Sequence, residues 1–205
     1  SEPTNWSLMG GTDLRQFNPN EPISPLVNAV ASLFFKDNYI KLYERNFAEA
    51  SYYRELFNGF YAGLKLSYED RKPVILHSDY SVIKNDDPYQ SNNPLDEIDY
   101  SSAGFEAHQQ LTATWMFNIR FGQKIMTRPD YVSRIANTNY PEFTFYLVNS
   151  VWASESRYSF IRYELQMKYG LDFGAYGKLD TQSLLGDFDA QEGLGFMDYK
   201  HFLGN

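Results

Sequence analysis

The chain has 205 residues, with 26 acidic and 18 basic side chains, a net charge of −8 and no cysteine. This charge argues against a broad basic surface that binds nucleic acid, and the lack of cysteine excludes disulfides, a thiol nucleophile and a thiolate metal site. Aromatic residues make up 18% of the chain although its mean hydropathy is only −0.50, a combination typical of strands that alternate between apolar and polar side chains.

Residues 25–57 allow two interpretations. As strands, residues 27–35 carry an apolar face, and a return strand follows a turn at 36–38. As a helix, apolar residues recur every three or four positions from Tyr39 to Phe57. The strand interpretation is preferred because the region that follows is predicted to be sheet. The segment therefore holds either the first strands of the fold or a helical insert.

The strongest pattern in residues 58–205 is alternation of apolar and polar side chains, which predicts extended strands with one face in an apolar phase. Long runs of this kind cover residues 60–71, 111–121 and 161–173, and a weaker run covers 143–151. These strands are expected to lie in one antiparallel sheet.

Turn and loop signals separate the predicted strands. Residues 58–59 are Asn-Gly, which predicts a tight turn, and the glycines within 173–177 predict a bend. Three stretches rich in Asn, Asp, Ser, Gly and Pro predict polar loops at 84–102, 127–141 and 181–195.

The length of the alternating runs distinguishes two environments for the apolar face. Strands of soluble domains have about 5–6 residues, whereas a tilted strand that crosses a bilayer needs about 9–11. The predicted strands therefore favour a transmembrane β-barrel, in which Trp115, Phe117, Leu165 and Met167 contact lipid and the polar side chains face the lumen. The alternative is a soluble sheet whose apolar face lies in a protein core.

Three segments carry a family resemblance: residues 18–47, 54–74 and 196–205. Their most specific strings are Asn-Tyr-X-Lys-X-Tyr at 38–43, Leu-Phe-Asn-Gly at 56–59 with Tyr68 and Arg71, and His-Phe-X-Gly-Asn at 201–205. In these strings the chain resembles the DUF5686 family, outer-membrane proteins of Bacteroidota that usually carry a carboxypeptidase-regulatory-like domain followed by a β-barrel.

The resemblance implies a bacterial outer membrane and a barrel, and it supplies no reaction. No regulatory-like domain precedes Trp6, and the chain stops at Asn205, within a motif after which family members continue with further strands. We therefore expect residues 1–205 to form part of one antiparallel outer-membrane β-barrel domain, a partial barrel.

Charged residues on the polar side of the predicted strands are the candidate lumen-facing residues. They are Lys65, Glu69, Arg71, Arg120, Arg162, Glu164, Lys168 and Asp172. One interpretation is a polar pore or a small-ligand site made of mixed charges. The other is an interior whose opposite charges pair with one another and hold no ligand.

Catalytic and metal motifs are not recognised. The three histidines have no metal spacing, and His77 with Asp79 is the nearest candidate for a pair that activates water. The acidic pattern at 187–193 lacks the glycine and glutamate of a calcium loop, and no phosphate-binding or hydrolase motif occurs. The sequence thus predicts no catalytic residue, no cofactor and no metal site.

The function expected from these observations is a non-enzymatic outer-membrane barrel protein that serves outer-membrane machinery in assembly, export or uptake. The alternative is a pore or transporter that admits a small solute through a charged lumen. The expected partners are outer-membrane lipid and other outer-membrane or periplasmic proteins, and nucleic acid is not expected.

Overall fold

A computed structural model of the chain describes residues 4–76, 80–83, 86–96, 104–127, 129–130, 132–135, 140–190 and 194–201. Within these residues the fold is all-β and antiparallel, with a single α-helix, α1, at Pro25–Phe35. The strands are β1 Thr4–Gln16, β2 Leu42–Phe57, β3 Phe60–Pro73, β4 His108–Arg120, β5 Lys124–Thr127, β6 Val132–Ile135, β7 Glu142–Ala153, β8 Phe160–Asp172 and β9 Lys178–Ala190.

Seven strands form one sheet in the order β1-β2-β3-β4-β7-β8-β9, so each strand pairs with its predecessor in this series. The short strands β5 and β6 form a separate hairpin between β4 and β7. The seven strands have 12 to 16 residues each, at least twice the usual length in soluble domains. The prediction of long antiparallel strands is confirmed, and β1 and β9 are the edges of the described sheet.

The connections fall at two ends of the sheet. At the turn end lie residues 58–59, the described parts of 121–141, and residues 173–177, and at the helix end lie α1, residues 154–159 and the segment 194–201. Gly59 adopts φ +81° in its tight turn, and an alanine Cβ there would approach the Arg120 carbonyl oxygen to 2.3 Å. The predicted Asn-Gly turn is confirmed, as is the bend at 173–177.

The preferred strand interpretation is wrong for residues 27–35, which are helical. Ser24 caps the helix by accepting a hydrogen bond from the Val27 amide at 3.3 Å, Pro25 occupies the first turn, and Lys36 ends it with φ +61°. These are ordinary helix start and stop features. Helix α1 has 11 residues and is too short to span a membrane. None of the described residues belongs to a helix longer than this one.

The strand interpretation is correct for β2, and the helical alternative over Tyr39–Phe57 is wrong. Local propensity in this segment leans helical, but β2 pairs with β1 on one side and β3 on the other. Strand β2 is hydrogen-bonded to a neighbouring strand on each side along most of its length. This pairing outweighs a difference in helix propensity of about 0.7 kcal/mol or less per residue.

Two predicted loops contain strands. The prediction of a loop at 181–195 is wrong for residues 181–190. These residues belong to β9, which pairs with β8 from Asp172 to Phe160. The proposed loop at 127–141 contains β6. Strand β1 was not predicted. Both β1 and β9 are edge strands, where weaker alternation is tolerated because one side of the strand has no neighbour in the described sheet. The described part of 84–102 contains no strand, as predicted.

The register sorts the side chains of the sheet onto two faces. On the polar face, Lys65, Thr114, Val148 and Arg162 lie directly opposite one another across β3, β4, β7 and β8. The other, apolar face exposes a large apolar side chain from every one of the seven strands: Leu8, Tyr52, Leu66, Trp115, Phe145, Leu165 and Leu185.

Candidate functional site

A chain of alternating charges crosses the polar face at the helix end. Arg45 of β2 donates from Nε and Nη2 to the Asp13 carboxylate at 2.8 and 3.1 Å, and from Nη1 to Glu69 Oε1 at 2.6 Å. Arg71 of β3 donates from Nε to Glu69 Oε2 at 2.7 Å and from Nη1 to the two Asp198 oxygens at 3.0 and 2.9 Å. Glu69 is thus held between two guanidinium groups, and Arg71 between two carboxylates.

This network is buried. Arg71 is 6% exposed, Glu69 8% and Asp198 5%. Charges withdrawn from water require partners, and removing one member of such a pair typically costs about 3–5 kcal/mol because the other charge remains buried and unpaired. The polar face is therefore organised mainly by pairing of its own charges at this end.

The segment 194–201, which we term the roof segment, covers the network. Its 3-10 turn at Phe196–Asp198 supplies the Asp198 carboxylate to Arg71 of β3. The Asp198 main-chain oxygen accepts from Arg162 Nη1 of β8 at 2.5 Å, and Lys200 Nζ donates to Glu164 of β8 at 3.0 Å. The roof segment therefore bridges β3 and β8, which are separated in the sheet by β4 and β7.

A small apolar cluster anchors the roof segment. The buried side chains of Phe17, Tyr43 and Met197 pack together, with Phe105 and Phe196 against them. The ring of Phe17 lies 5.3 Å from that of Tyr43 and 5.8 Å from that of Phe196, within the range of favourable aromatic pairs. This cluster lies at the helix end, since Tyr43 is the second residue of β2 and Phe17 follows β1.

A cavity of about 210 Å³ remains on the polar face beneath the roof segment. Its walls include Glu49, Lys65, Thr112 and Thr114 from the sheet. Lys65 Nζ lies 2.9 Å from Glu49 Oε1, which also accepts from the Ser67 hydroxyl at 3.1 Å. The cavity is thus polar and lined by charged groups of both signs.

The turn end of the polar face is covered by the β5–β6 hairpin. Glu55 of β2, 2% exposed, accepts from the Gly59 amide at 3.0 Å and from Gln123 Nε2 at 2.8 Å, and it pairs with Arg134 of β6. Tyr61 completes the contact by donating to Gln123 Oε1 at 3.1 Å. A buried carboxylate therefore fixes the hairpin to the sheet.

The register brings the eight candidate lumen-facing residues onto one face, in different surroundings. Glu69 and Arg71 belong to the charge chain, while Lys65, Arg162 and Glu164 lie at the cavity or beneath the roof segment. Arg120 pairs with Glu142 at 3.1 Å and Asp172 with Lys178 at 3.4 Å, both nearer the turn end. Lys168 lies opposite Glu142 in the register, at the same end.

Several members of the site were missed by the sequence analysis: Asp13, Arg15, Arg45, Glu49, Asp198 and Lys200. Arg45 and Glu49 lie on the polar face of β2, but Tyr43 and Phe47 share that face and hide the polar pattern. Asp198 and Lys200 lie outside any strand, so no periodic signal marks them.

The histidines form no catalytic set in the described residues. His77 and Asp79 lie outside those residues. His108 is buried, stacks on the Tyr158 ring at 3.6 Å and donates from Nδ1 to the Glu106 carbonyl at 2.9 Å. Burial raises the pKa of the Tyr158 phenol. His201 Nε2 donates to the Phe196 carbonyl at 2.9 Å, within the roof segment.

The acidic pattern at 187–193 lies partly on a strand. Asp187 and Asp189 belong to β9, while residues 191–193 lie outside the described part of the chain. Among the residues that the structure describes, no group of three or more metal-ligating side chains comes together.

Comparison with known proteins gives one match. The model of the family of unknown function DUF5686, C-terminal domain, matches residues 2–205. The chain belongs to the DUF5686 family. The resemblance deduced from the strings at 38–43, 56–59 and 201–205 is thereby confirmed. No curated protein and no solved structure matches the chain.

Proposed function

We propose that this DUF5686 domain is part of an outer-membrane β-barrel, and that it serves outer-membrane machinery as a non-enzymatic component in assembly, export or uptake. The observation that carries the proposal is the distribution of side chains across the seven-stranded sheet. Large apolar side chains are exposed on one face, and charged side chains are buried on the other. This distribution suits a sheet that has lipid on one side and a polar interior on the other.

The apolar face is too extensive for an ordinary water-exposed surface. Leu8 on β1 is 75% exposed, Trp115 on β4 is 42% exposed and Leu165 on β8 is 39% exposed. These strands lie in one continuous sheet, whereas soluble monomers rarely expose contiguous apolar patches larger than a few hundred Å². No described segment packs over this row, so hydrocarbon is the medium that best accounts for it.

Helix α1 supports the same proposal because its polar side faces the protein and its apolar side is exposed. Its polar residues face the protein: Asn28 Oδ1 accepts from the amides of Tyr39 and Ile40 at 2.7 and 2.8 Å, and the Ser32 hydroxyl donates to the Asp37 carbonyl at 2.8 Å. Its exposed residues are apolar, namely Leu26, Val27, Val30, Leu33, Phe34 and Phe35. A helix on a water-exposed protein surface has the opposite arrangement.

The covering of the polar face favours the accessory role over an open pore. The roof segment and the β5–β6 hairpin lie over opposite ends of this face, each held by a buried ion pair. A pore for a small solute is the second candidate, and the charged cavity beneath the roof segment favours it.

Cell fractionation of the full-length protein tests the location. We expect it in the outer-membrane fraction, with electrophoretic mobility that changes on boiling, as intact barrels resist unfolding in detergent. Recovery in the soluble periplasmic fraction contradicts the proposal. Conductance of planar bilayers that contain the purified protein then separates the two candidates: silent bilayers support the accessory role, and steady single-channel steps support the pore.

A further inference from the structure

We propose that the cavity beneath the roof segment is a binding site for a small phosphate-type oxyanion. This inference concerns a ligand of the polar face and does not require the membrane location to be correct. It follows from the charges of the cavity wall, the pairing of those charges and the size of the cavity.

The wall carries an excess of positive charge. It contains three carboxylates, Glu49, Glu69 and Asp198, and five cationic side chains. The five cations are Arg15, Lys65, Arg71, Arg162 and Lys200. The whole chain has a net charge of −8, so this local excess has the opposite sign from the protein around it.

Ion pairing leaves two of the cations available. Lys65 pairs with Glu49, Arg71 with Glu69 and Asp198, and Lys200 with Glu164 at 3.0 Å. Arg15 and Arg162 have no carboxylate partner among the described residues. Two half-buried guanidinium groups beside a polar cavity have a favourable interaction to gain from an anion, and their planar donor arrangement matches an oxyanion.

The surroundings of Arg162 hold it in place for such a ligand. Its Nη1 donates to the Asp198 main-chain oxygen at 2.5 Å, which fixes the side chain to the roof segment without neutralising its charge. In the register, Arg162 shares a row with Lys65 and Thr114. The hydroxyls of Thr112 and Thr114 also line the wall and can donate to an anion's oxygens.

The size of the cavity limits the ligand. A volume of about 210 Å³ corresponds to roughly seven water molecules at about 30 Å³ each. Sites for drug-sized ligands measure about 300–1,000 Å³. The cavity therefore accommodates a small oxyanion with some water, either free inorganic phosphate or the phosphate of a lipid headgroup that enters from its edge.

Isothermal titration of the purified full-length protein with inorganic phosphate tests the proposal, with sodium chloride at matched ionic strength as the reference. We expect saturable phosphate binding that chloride does not reproduce. Arg15→Gln and Arg162→Gln should each weaken binding about tenfold or more, since each removes a charge-assisted contact. Lys178→Gln removes an equal charge from a side chain that is 71% exposed at the turn end, and it should leave binding unchanged.

Arg162→Gln also removes a contact with the roof segment, so folding of each variant is checked by circular dichroism, which does not depend on the membrane location. Arg15 makes no ion pair within the described residues, so Arg15→Gln tests the site without that complication. Absence of phosphate binding in the wild-type protein, or binding that both arginine variants retain in full, overturns the proposal. A short-chain phosphatidic acid that displaces phosphate identifies a lipid headgroup as the source, and failure to displace it identifies the free ion; either result upholds the phosphate site.

Discussion

The two faces of the seven-stranded sheet differ in how their side chains are satisfied. On the polar face, Arg45, Glu69 and Arg71 are buried and joined by hydrogen bonds of 2.6–2.7 Å. On the apolar face, the side chains of Trp115 and Leu165 remain exposed. Across this sheet, charged side chains are buried on one face and large apolar side chains are exposed on the other, the reverse of the arrangement usual in soluble domains.

The difference teaches that contacts on the polar face fix how the parts of the fold are arranged relative to one another. Its charges specify partners, because the carboxylates of Asp13 and Asp198 each accept from one guanidinium group and that of Glu69 accepts from two, whereas apolar contacts are non-directional. The apolar face instead determines which surroundings the sheet requires on that side. Four substitutions test this contrast, in order of decreasing expected effect.

The largest effect is expected from Arg71→Met, which removes the central cation of the charge chain. Asp198 loses its ion pair and Glu69 keeps only Arg45, so the free energy of unfolding should fall by about 3–5 kcal/mol. Urea titration of the protein in lipid vesicles measures this loss. The control is Arg120→Met, whose pair with Glu142 is partly exposed and should contribute about 1 kcal/mol or less. Equal effects of the two substitutions would show that burial does not distinguish these pairs.

The next effect concerns the apolar face. Leu165→Lys places a charge among the exposed apolar side chains of β8 and should lower the free energy of unfolding in lipid by about 2–4 kcal/mol. Gln166→Lys places the same charge one residue further along the strand, on the polar face, and should cost much less. If water contacts the apolar face, Leu165→Lys should instead change stability by only about 0.5 kcal/mol, as exposed substitutions do. That outcome would remove the basis for the lipid assignment.

A smaller, local effect is expected at the turn end. Arg134→Gln removes the cation that pairs with the buried Glu55, so the β5–β6 hairpin should open more readily, by about 1.5–3 kcal/mol. Hydrogen exchange of the amides in residues 124–135 measures this opening. Lys124→Gln removes an exposed charge from the same hairpin and should leave the exchange unchanged. Unaltered protection in Arg134→Gln would show that the ion pair does not fasten the hairpin.

The smallest effect is expected in helix α1. Ser24→Ala removes the side-chain oxygen that accepts from the Val27 amide, and it should destabilise the helix by about 1 kcal/mol. Ser24→Asp retains an acceptor and should preserve the helix. Exchange rates of the α1 amides report both variants. Equal protection in the two would indicate that contacts of the helix with lipid or with residues 37–40 hold it without the cap.

Alternation predicted the parts of the fold in which both faces of a strand have uniform surroundings. Strands β3, β4 and β8 agree with their predicted runs to within three residues, and Lys65, Glu69 and Arg71 share a face as expected. Helix α1 was misassigned although Ser24 and Pro25 mark its start, because apolar residues on the exposed side of the helix imitate an apolar strand.

The candidate site was predicted only in part. Glu69 and Arg71 were identified, whereas their partners Arg45 and Asp198 were not. Arg45 lies on a strand face that also carries Tyr43 and Phe47, so its polar character is diluted. The contact between Arg71 and Asp198 joins residues 127 positions apart, and nothing local to either residue indicates the other.

The sequence by itself determined which side chains share a face, because the pleat of a strand sends successive side chains to opposite sides wherever that strand lies. It also determined membership of the DUF5686 family, since the family model matches residues 2–205 of the sequence. Only the tertiary structure decided that the roof segment lies over the polar face, that Arg15 and Arg162 line one cavity, and that β9 extends the sheet. These features depend on chain segments that are distant in sequence, and a single carboxylate or guanidinium in a loop carries no periodic signal of where it will bind.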